Sequence, residues 1–268
     1  MRSRDVLAGV GDLPEHESIR LLVLATGRTR SDVLLGFDLS SQECDTFKSY
    51  VERRRRDEPL QYIEGTVPFG PVELQVDDRV LIPRPETEYL FEQVTAMLDD
   101  PAVIVDLCTG SGNLALALAA DHPDADVYAV DLSPDAAAAA RRNVETLGLN
   151  VHVLVGDLFD PLPDSLKGRV DLLVSNPPYL ATGELADLPT DVLAEPEMAL
   201  VAGPQGDEVL ARIAGEAEDW LAPGALIACE ISEFHGDRVA DLFERYVAKI
   251  ERDLSGRDRY VIGRFRFR

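Results

Sequence analysis

Asn176, Pro177, Pro178 and Tyr179 form the segment of this chain whose residue types point most directly to chemistry. They follow the apolar run 170–175, which is typical of a buried strand. The two prolines fix two φ angles and lack N–H donors, so the loop is stiff and its carbonyl oxygens are free to accept hydrogen bonds. The Asn176 amide both donates and accepts, and Tyr179 offers a flat surface. Such a loop fits a planar NH2 group, which either an amide or a nucleobase can supply.

A second segment, Asp106-Leu107-Cys108-Thr109-Gly110-Ser111-Gly112, follows another apolar strand and opens a predicted helix. Gly110 and Gly112 let a ligand approach the backbone closely. Position 115 is alanine where a dinucleotide fingerprint has its third glycine, a change that some dinucleotide sites tolerate. The loop by itself indicates a nucleotide-type ligand and leaves a dinucleotide possible.

Two aspartates that end the next two strands narrow the choice of ligand. Asp131 lies about 20 residues after the glycines, where an acidic side chain binds both ribose hydroxyls and disfavours a 2′-phosphate. Asp157 could accept a hydrogen bond from an adenine amino group while Leu158 or Phe159 covers the ring. Either aspartate alone is better explained as a helix cap or a solvated loop acid. Together they predict a site for an adenosine that bears no phosphate.

The elements that must position these segments alternate along the chain after Pro85. Helices are predicted at 86–98, 114–120, after Ser133 and at 207–221, and strands at 103–107, 127–131, 151–155, 172–175 and 225–230. Such alternation is typical of a parallel sheet with helices on both faces. The strands predicted at 247–251 and 260–267 are joined by a segment too short for a helical crossover, so we expect them to form an antiparallel hairpin.

The chain before this region has a different pattern. Residues 1–60 predict a small helical domain, in which Ser40 and Glu43 form a capping box ahead of a helix. Residues 61–83 alternate apolar residues with glycine and proline and predict a β-hairpin linker, which leaves 84–268 for the α/β domain. The basic run Arg53 to Arg56 is interpreted as a solvated helix end in preference to a partner-docking patch.

Composition limits the class of protein. The 49 acidic and 26 basic residues give a formal net charge of -23, which disfavours nonspecific binding to nucleic acid. The three cysteines form no CxxC pair and the four histidines are scattered, which indicates a reduced, cytosolic protein without a zinc site. No apolar run approaches the ~18 residues of a membrane span. We therefore expect a cytoplasmic monomer whose partner is a protein or a small ligand, with no direct contact to nucleic acid or membrane.

Taken together, these segments resemble the release-factor glutamine methyltransferases (HemK/PrmC family) among the class I S-adenosylmethionine-dependent methyltransferases. The resemblance covers nearly the whole chain. It rests on the segments already described and on Pro59 to Ile63 with Gly65, Leu81 to Glu88, Glu195-Pro196 with Ala199-Leu200, and Ser255 to Arg259. Asn-Pro-Pro-Tyr also occurs in adenine-N6 DNA methyltransferases, so residues 84–88 and the helical N-terminus are the specific part. The fold implied is a seven-stranded Rossmann-like domain with an antiparallel C-terminal hairpin, preceded by a helical domain that docks the substrate.

The resemblance also implies roles for individual residues, with S-adenosylmethionine as the cofactor. The loop Cys108, Thr109, Gly110, Ser111 and Gly112 would contact its methionine part, Asp131 its ribose, and Asp157 with Leu158 its adenine. The segment from Asn176 to Tyr179 would hold the substrate glutamine of a Gly-Gly-Gln loop in a peptide chain release factor, with Asn176 also beside the cofactor. Two residues depart from the family pattern: Cys108, where many members have Gly, and Leu158, where many have Trp.

The predicted mechanism follows from the weak nucleophilicity of an amide nitrogen, whose lone pair is delocalised into the carbonyl. The Asn176 side-chain oxygen and the Pro177 carbonyl are predicted to accept the two N–H bonds, while Tyr179 packs on the amide plane. These acceptors bind more tightly as the nitrogen becomes positive, so all three residues are catalytic candidates. Arg84, Glu86 and Glu88 fit a peptide channel and a helix start equally well.

Two alternatives remain. An adenine or guanine exocyclic amino methyltransferase presents the same planar NH2 group, although the net charge argues against a nucleic-acid substrate. A ligand sensor or assembly factor that has lost turnover would keep the fold, and the intact segment from Asn176 to Tyr179 disfavours it.

Overall fold

The computed structural model describes residues 2–234 and 236–266, so Phe267, the last residue of the predicted final strand, lies outside the described residues. The chain divides into two compact units: Met1–Thr66 with Pro189–Ala194, and Val67–Leu188 with Glu195–Arg268. In the described ranges, no helix combines the length and the apolar composition needed to cross a bilayer.

The first unit is helical. Its helices are α1 (Ser3–Ala8), α2 (Glu15–Thr26), α3 (Arg30–Leu35), α4 (Ser41–Arg54) and α5 (Leu60–Glu64). Ser40 and Glu43 form the predicted capping box, with the Ser40 side chain accepting from the Glu43 N–H at 3.2 Å. Leu21, Leu22 and Phe47 are among its fully buried core side chains.

The arginine run of α4 is neither fully solvated nor a free basic patch. Arg53 forms an ion pair with Glu58, Arg54 with Glu17 at 2.7 Å, and Arg55 with Asp12 at 2.7 Å. Three of the four cations are therefore neutralised by acids of their own unit, which ties the end of α4 to α2 and to the loop before it. Neither the solvated helix end nor the docking patch considered from the sequence includes these ion pairs. The sequence does not show them because the partners lie up to 43 residues away.

The predicted hairpin linker at 61–83 is shorter than expected. Residues 61–64 belong to α5, which ends at Gly65 in the left-handed conformation (φ 77°) and is therefore a helix where a strand was predicted. The hairpin consists of β1 (Thr66–Phe69) and β2 (Val72–Gln75), and residues 76–83 form irregular backbone and turns. The glycine that ends α5 was misread as part of a strand pattern, since Gly serves both helix ends and hairpins.

The second unit contains the seven-stranded sheet, which confirms the predicted fold class. Its strands are β3 (Val103–Leu107), β4 (Asp126–Asp131), β5 (Val151–Val155), β6 (Val170–Ser175), β9 (Leu221–Glu230), β10 (Lys249–Arg252) and β11 (Asp258–Arg264), and β7 (Leu180–Ala181) pairs separately with β8 (Val201–Gly203). The order is β10-β11-β9-β6-β3-β4-β5. Pairs from β9 to β5 are parallel and both pairs of β11 are antiparallel. The final strand is thus shorter than the predicted 260–267 at its end, because Phe265 and Arg266 are irregular.

Helices cover both faces of this sheet. They are α6 (Pro85–Thr95), α7 (Asn113–Asp121), α8 (Pro134–Leu147), α9 (Glu197–Leu200), α10 (Glu208–Glu216) and α11 (Gly236–Leu242). Helix α10 ends five residues before the predicted limit of 221, because a single 3-10 turn follows and β9 begins at Leu221. Two buried apolar clusters lie on the two faces, and Trp220 stacks on Phe159 in one of them at a ring distance of 5.7 Å.

The register brings the predicted functional segments to one edge. Leu107 pairs with both Val130 and Ser175, Ser175 pairs with Cys229, and Asp131 pairs with Val155. Because these strands are parallel, the loops that follow them open at the same edge of the sheet, which is where open α/β sheets bind ligands.

Candidate active site

A cavity of about 550 Å³ lies at this carboxyl edge, entirely within the second unit. Its lining includes seven of the residues predicted for the site: Cys108, Gly110, Asp131, Asp157, Leu158, Asn176 and Pro178. Five other predicted residues do not line it: Thr109, Ser111, Gly112, Pro177 and Tyr179. The cavity therefore joins the predicted cofactor segments to the start of the Asn-Pro-Pro-Tyr loop.

The glycine loop reaches the cavity through alternate residues. Cys108, Gly110 and Gly112 all have positive φ, at 59°, 55° and 84°. A Cβ at Gly110 would meet no heavy atom within 4 Å, so this glycine leaves open space, whereas a Cβ at Gly112 would lie 3.0 Å from Leu116. The left-handed backbone explains why glycine is the residue best suited to position 108, where this chain places a cysteine. Burial raises the pKa of that thiol far above its ordinary value.

The other two residues of the loop hold it in place. The Thr109 hydroxyl donates to the Asp106 carboxylate at 2.5 Å, and the Ser111 carbonyl accepts from the Asn143 side chain at 2.9 Å. Asn143 also donates to the Gln75 carbonyl at 3.0 Å and accepts from its N–H at 2.8 Å. Thr109, Ser111 and Asn143 are buried, so their contribution is to the shape of the loop.

Asp106 lies beneath this loop at the end of β3. One carboxylate oxygen accepts from Thr109 and from the Ala115 N–H at 3.2 Å, and the other is buried without a hydrogen-bond partner among the described residues. Burial raises the pKa of Asp106 to about 7. Its interactions are local, because both donors lie within nine residues.

Asp131 ends β4 on the wall of the cavity. Its Oδ2 accepts from the Gly110 N–H at 2.8 Å, and its Oδ1 accepts from the Ser133 N–H at 2.8 Å. Burial raises the pKa of this carboxyl, and the two backbone donors partly offset that effect. Each oxygen keeps a second lone pair, so the side chain can accept from two further donors such as vicinal hydroxyls.

The corner after β5 supplies another wall. Leu158 has a left-handed backbone (φ 47°) and is buried, and it lines the cavity, whereas Phe159 stacks on Trp220 in the core. Of the two apolar candidates for an adenine contact, Leu158 is thus the one placed at the cavity. Both Asp157 oxygens accept from Arg212 of α10, at 2.9 and 3.0 Å, and both side chains are about half exposed.

The Asn-Pro-Pro-Tyr loop is held from behind by two side chains outside it. Asn176 Nδ2 donates to the Thr87 hydroxyl at 3.0 Å, and that hydroxyl donates to Glu230 Oε2 at 2.7 Å. The Tyr179 hydroxyl donates to Glu230 Oε1 at 3.2 Å. Pro177 is buried, and no described residue donates a hydrogen bond to its carbonyl. That carbonyl therefore has no donor among the described residues, although Pro177 does not line the cavity.

Glu230 is the centre of this arrangement. It ends β9 and is only 1% exposed. Burial raises the pKa of Glu230 to about 7, and the negative charge of Glu86 also raises it. The hydrogen bonds from the Thr87 and Tyr179 hydroxyls and the positive charge of Arg259 lower it. Burial also raises the pKa of Tyr179 well above its ordinary value, so the phenol keeps its proton and donates it to Glu230.

The segment 84–88 begins α6 and does not line the cavity. Arg84 is its N-cap and forms an ion pair with the buried Glu195, which also accepts from the Ile82 N–H at 2.9 Å. The Glu88 carboxylate accepts from the Gly70 N–H at 2.8 Å. The helix-start interpretation accounts for these contacts, and Glu195 holds the segment to the cavity wall that begins at Pro196.

Known proteins match this chain over almost its whole length. The family described as PrmC N-terminal domain matches residues 2–65, and the family described as Methyltransferase small domain matches residues 86–205. The release factor glutamine methyltransferase of Mycolicibacterium smegmatis is 40% identical, over 95% of this chain and 91% of that protein. The proteins of the same name from Moorella thermoacetica (39%, over 96% and 93%) and Salmonella typhimurium (36%, over 95% and 93%) are similarly close. The chain belongs to the release factor glutamine methyltransferase family. The resemblance inferred from the motifs is thereby confirmed.

Solved structures support the fold of this release factor glutamine methyltransferase family member. A methyltransferase from Pyrococcus furiosus has a TM-score of 0.55 at 20% identity, over 72% of this chain and 89% of that chain. The E. cuniculi Mtq2-Trm112 complex, described as responsible for methylation of the eRF1 termination factor, gives a TM-score of 0.51 at 20% identity, over 70% and 99%. Both show a methyltransferase fold for most of this chain.

Sequence reasoning missed several residues that shape the site of this family member. The sequence places Thr87 within a motif segment and Glu230 at a strand end, and it indicates no role for Glu195, Asn143 or Arg212. A signal was present for Glu230, because an acid at the carboxyl end of a buried apolar strand either has partners or is expensive to bury. The partners themselves could not be found, since Thr87 and Glu230 lie 143 residues apart.

Proposed function

We propose that this chain transfers the methyl group of S-adenosylmethionine to the side-chain amide nitrogen (N5) of the glutamine in the Gly-Gly-Gln motif of a peptide chain release factor. The observation that carries the proposal is the position of Asn176. It lines the same cavity as Asp131 and Gly110, and its amide is held by Thr87. The cofactor segments and the acceptor loop thus meet at one place, in a member of the family named for this reaction.

The cavity fits the cofactor. Its volume of about 550 Å³ lies in the range of small-molecule sites, and the open space at Gly110 allows close approach to the backbone. Asp131 offers two carboxylate lone pairs for ribose hydroxyls, and Leu158 offers an apolar wall beside Asp157. We assign Cys108 and Gly110 to the methionine end, with Thr109, Ser111 and Gly112 holding that loop. When bound here, S-adenosylmethionine supplies an electrophilic methyl group on its sulfonium.

The Asn-Pro-Pro-Tyr loop orients the nucleophile. The Asn176 side-chain oxygen and the Pro177 carbonyl accept the two N–H bonds of the substrate amide, which directs the nitrogen lone pair away from them. This near-attack geometry offsets part of the weak nucleophilicity of an amide. As the nitrogen becomes positive its N–H bonds become stronger donors, so both acceptors stabilise the transition state more than the ground state. The nitrogen loses one of its two protons after transfer, and the broken S–C bond leaves its electron pair on the sulfur of S-adenosylhomocysteine. Tyr179 contributes its ring as a wall, since its hydroxyl is engaged with Glu230.

The remaining parts of the proposal concern the partner and the domains. We assign the helical unit, predicted as residues 1–60, to docking of the release factor, with 61–83 as a linker and 84–268 as the methyltransferase domain. The protein acts as a monomer in the cytoplasm on a protein substrate and makes no direct contact with nucleic acid or membrane. Its net charge of -23 supports the choice of a protein over a nucleic acid.

Labelled cofactor tests the proposal directly. The protein is incubated with methyl-labelled S-adenosylmethionine and, in separate reactions, with a release factor, with the same factor carrying alanine for the glutamine of Gly-Gly-Gln, and with DNA and ribosomal or transfer RNA. We expect label in the first reaction alone, at the glutamine by mass spectrometry. Label that enters only nucleic acid would establish an exocyclic amino methyltransferase instead, and cofactor binding without any transfer would indicate a sensor.

A further inference from the structure

The side chains behind Asn176 form a hydrogen-bonded chain with a definite direction. Asn176 donates to Thr87 at 3.0 Å, Thr87 donates to Glu230 at 2.7 Å, and Tyr179 donates to the other Glu230 oxygen at 3.2 Å. Thr87 is 0% and Glu230 1% exposed, and neither lines the cavity. The buried Glu230 carboxylate thus accepts hydrogen bonds from two hydroxyl groups beneath the acceptor loop and does not itself line the cavity.

The ionisation of Glu230 determines the direction of this chain. A carboxylate has no proton to give, so the single Thr87 proton must point to Glu230. The Thr87 oxygen can then only accept from Asn176, which must turn its NH2 group toward Thr87. The Asn176 oxygen receives no hydrogen bond from any described residue, so it is the amide atom left for a ligand of the cavity.

We infer that Glu230, acting through Thr87, is the positioning residue that fixes the Asn176 amide with its oxygen toward the acceptor substrate. This inference rests on the proposed function for the nature of that substrate and deepens it by naming what sets the acceptor geometry. Thr87 is the second positioning residue, and both act through Asn176.

Protonation of Glu230 would allow the opposite direction. A carboxylic acid can donate to Thr87, Thr87 can then donate to the Asn176 oxygen, and the Asn176 NH2 would face the substrate, whose N–H bonds it cannot accept. The groups that face Glu230 are Thr87, Tyr179, Arg259, Glu86 and Tyr260 of the neighbouring strand, and burial raises the pKa of Glu230 to about 7. Transfer should therefore decline as pH falls through the neutral range, because the oriented state requires the ionised carboxylate.

Substitutions along α6 and β9 test the inference by kinetics. Glu230→Gln and Thr87→Val should each lower kcat for release-factor methylation about tenfold, the effect expected from one lost orienting hydrogen bond. Cofactor affinity, measured by calorimetry, should stay within about twofold of the unsubstituted protein, which also verifies that the variants are folded. Thr87→Ser should restore most of the activity, and the decline of kcat toward low pH should disappear in Glu230→Gln.

Thr95 provides a matched control on the same helix. Its hydroxyl is buried without a partner among the described residues, so Thr95→Val removes the same atom with no hydrogen-bonded chain attached. We expect unchanged kcat for that variant. Kinetics of Glu230→Gln and Thr87→Val equal to those of Thr95→Val would overturn the inference.

A spectroscopic measurement separates this inference from the proposed function, because it needs no substrate. The Asn176 side-chain NH2 signal, assigned by its loss in Asn176→Ala, should shift between pH 6 and 8 in ¹⁵N–¹H spectra, and the shift should vanish in Glu230→Gln and Thr87→Val. If the pH-dependent shift of this signal is the same in both variants as in the unsubstituted protein, Glu230 does not orient Asn176, whatever the acceptor substrate is. Failure of release-factor methylation with the expected spectra would contradict only the proposed reaction.

Discussion

Two buried carboxyl groups, Asp106 and Glu230, lie beneath the two halves of the site and differ in how they are held. Each is 1% exposed, and burial raises the pKa of each to about 7. Asp106 receives its hydrogen bonds from residues three and nine positions along the chain. Glu230 receives its bonds from Thr87 and Tyr179, which lie 143 and 51 positions away.

The difference shows that the carboxyl group beneath the cofactor loop is bound by local contacts, whereas the one beneath the acceptor loop is bound by tertiary contacts. The loop after β3 is held partly by Asp106, Thr109 and a helix N–H in one continuous segment, and partly by the Asn143 side chain, which lies 32 positions from Ser111. The loop after β6 has its shape from its own prolines, but the orientation of Asn176 depends on α6 and on the end of β9. Substitutions near the cofactor should therefore change binding, and substitutions behind the acceptor loop should change turnover.

Asn176→Ala should have the largest effect, since it removes the side-chain acceptor itself. We expect kcat to fall about a hundredfold to a thousandfold, the range for loss of one transition-state hydrogen bond, with cofactor affinity within a few fold. Label transfer and calorimetry measure the two quantities. Asn150→Ala, at an exposed position after α8, is the control and should behave as the unsubstituted protein. Unchanged turnover in Asn176→Ala would refute the acceptor role.

The pH dependence of stability should reveal the carboxyl group beneath the cofactor loop. The folded-state pKa of Asp106 is raised from 3.8 to about 7, so its favourable contribution is complete below 3.8 and is lost as pH rises through about 7. Between pH 5.5 and 8 this group should lower the free energy of unfolding by about 2 kcal/mol. In Asp106→Asn, the fall in the free energy of unfolding between pH 5.5 and 8 should be smaller by that amount, as measured by denaturant titrations at a series of pH values. If the free energy of unfolding depends on pH identically in the two proteins, the pKa of Asp106 is not raised in the folded state.

The same division explains what the sequence could predict. The alternation of strands and helices, the capping box at Ser40 and the acids after successive strands are local patterns, and the sheet and the seven predicted residues of the cavity lining follow from them. The sequence does not predict the helix Leu60–Glu64, because five residues followed by Gly65 form too short a pattern to separate from a hairpin. The roles of Thr87 and Glu195 were missed because their partners are fixed only by the folded sheet.

Asp131→Ala should weaken cofactor binding about tenfold, through loss of a charged acceptor and of its bonds to two backbone N–H groups. At saturating cofactor, kcat should change little, because the acceptor loop is untouched. Asp126→Ala, at the exposed opposite end of β4, is the matched control for calorimetry. An unaltered affinity in Asp131→Ala would remove this residue from the site.

Asp157 should give the smallest effect, because its side-chain hydrogen bonds are made at the surface of the molecule. Its partner Arg212 lies 55 positions away, and both side chains are about half exposed, so we expect their coupling to be below about 1 kcal/mol. Asp157→Ala should weaken cofactor binding about threefold, and the exposed neighbour Asp160→Ala should leave it unchanged. A double-mutant cycle with Arg212→Ala measures the coupling by calorimetry. A loss in Asp157→Ala as large as that in Asp131→Ala would show that cofactor binding depends on the surface pair with Arg212 as strongly as on Asp131. The contrast between local contacts at the cofactor and tertiary contacts at the acceptor loop would then fail.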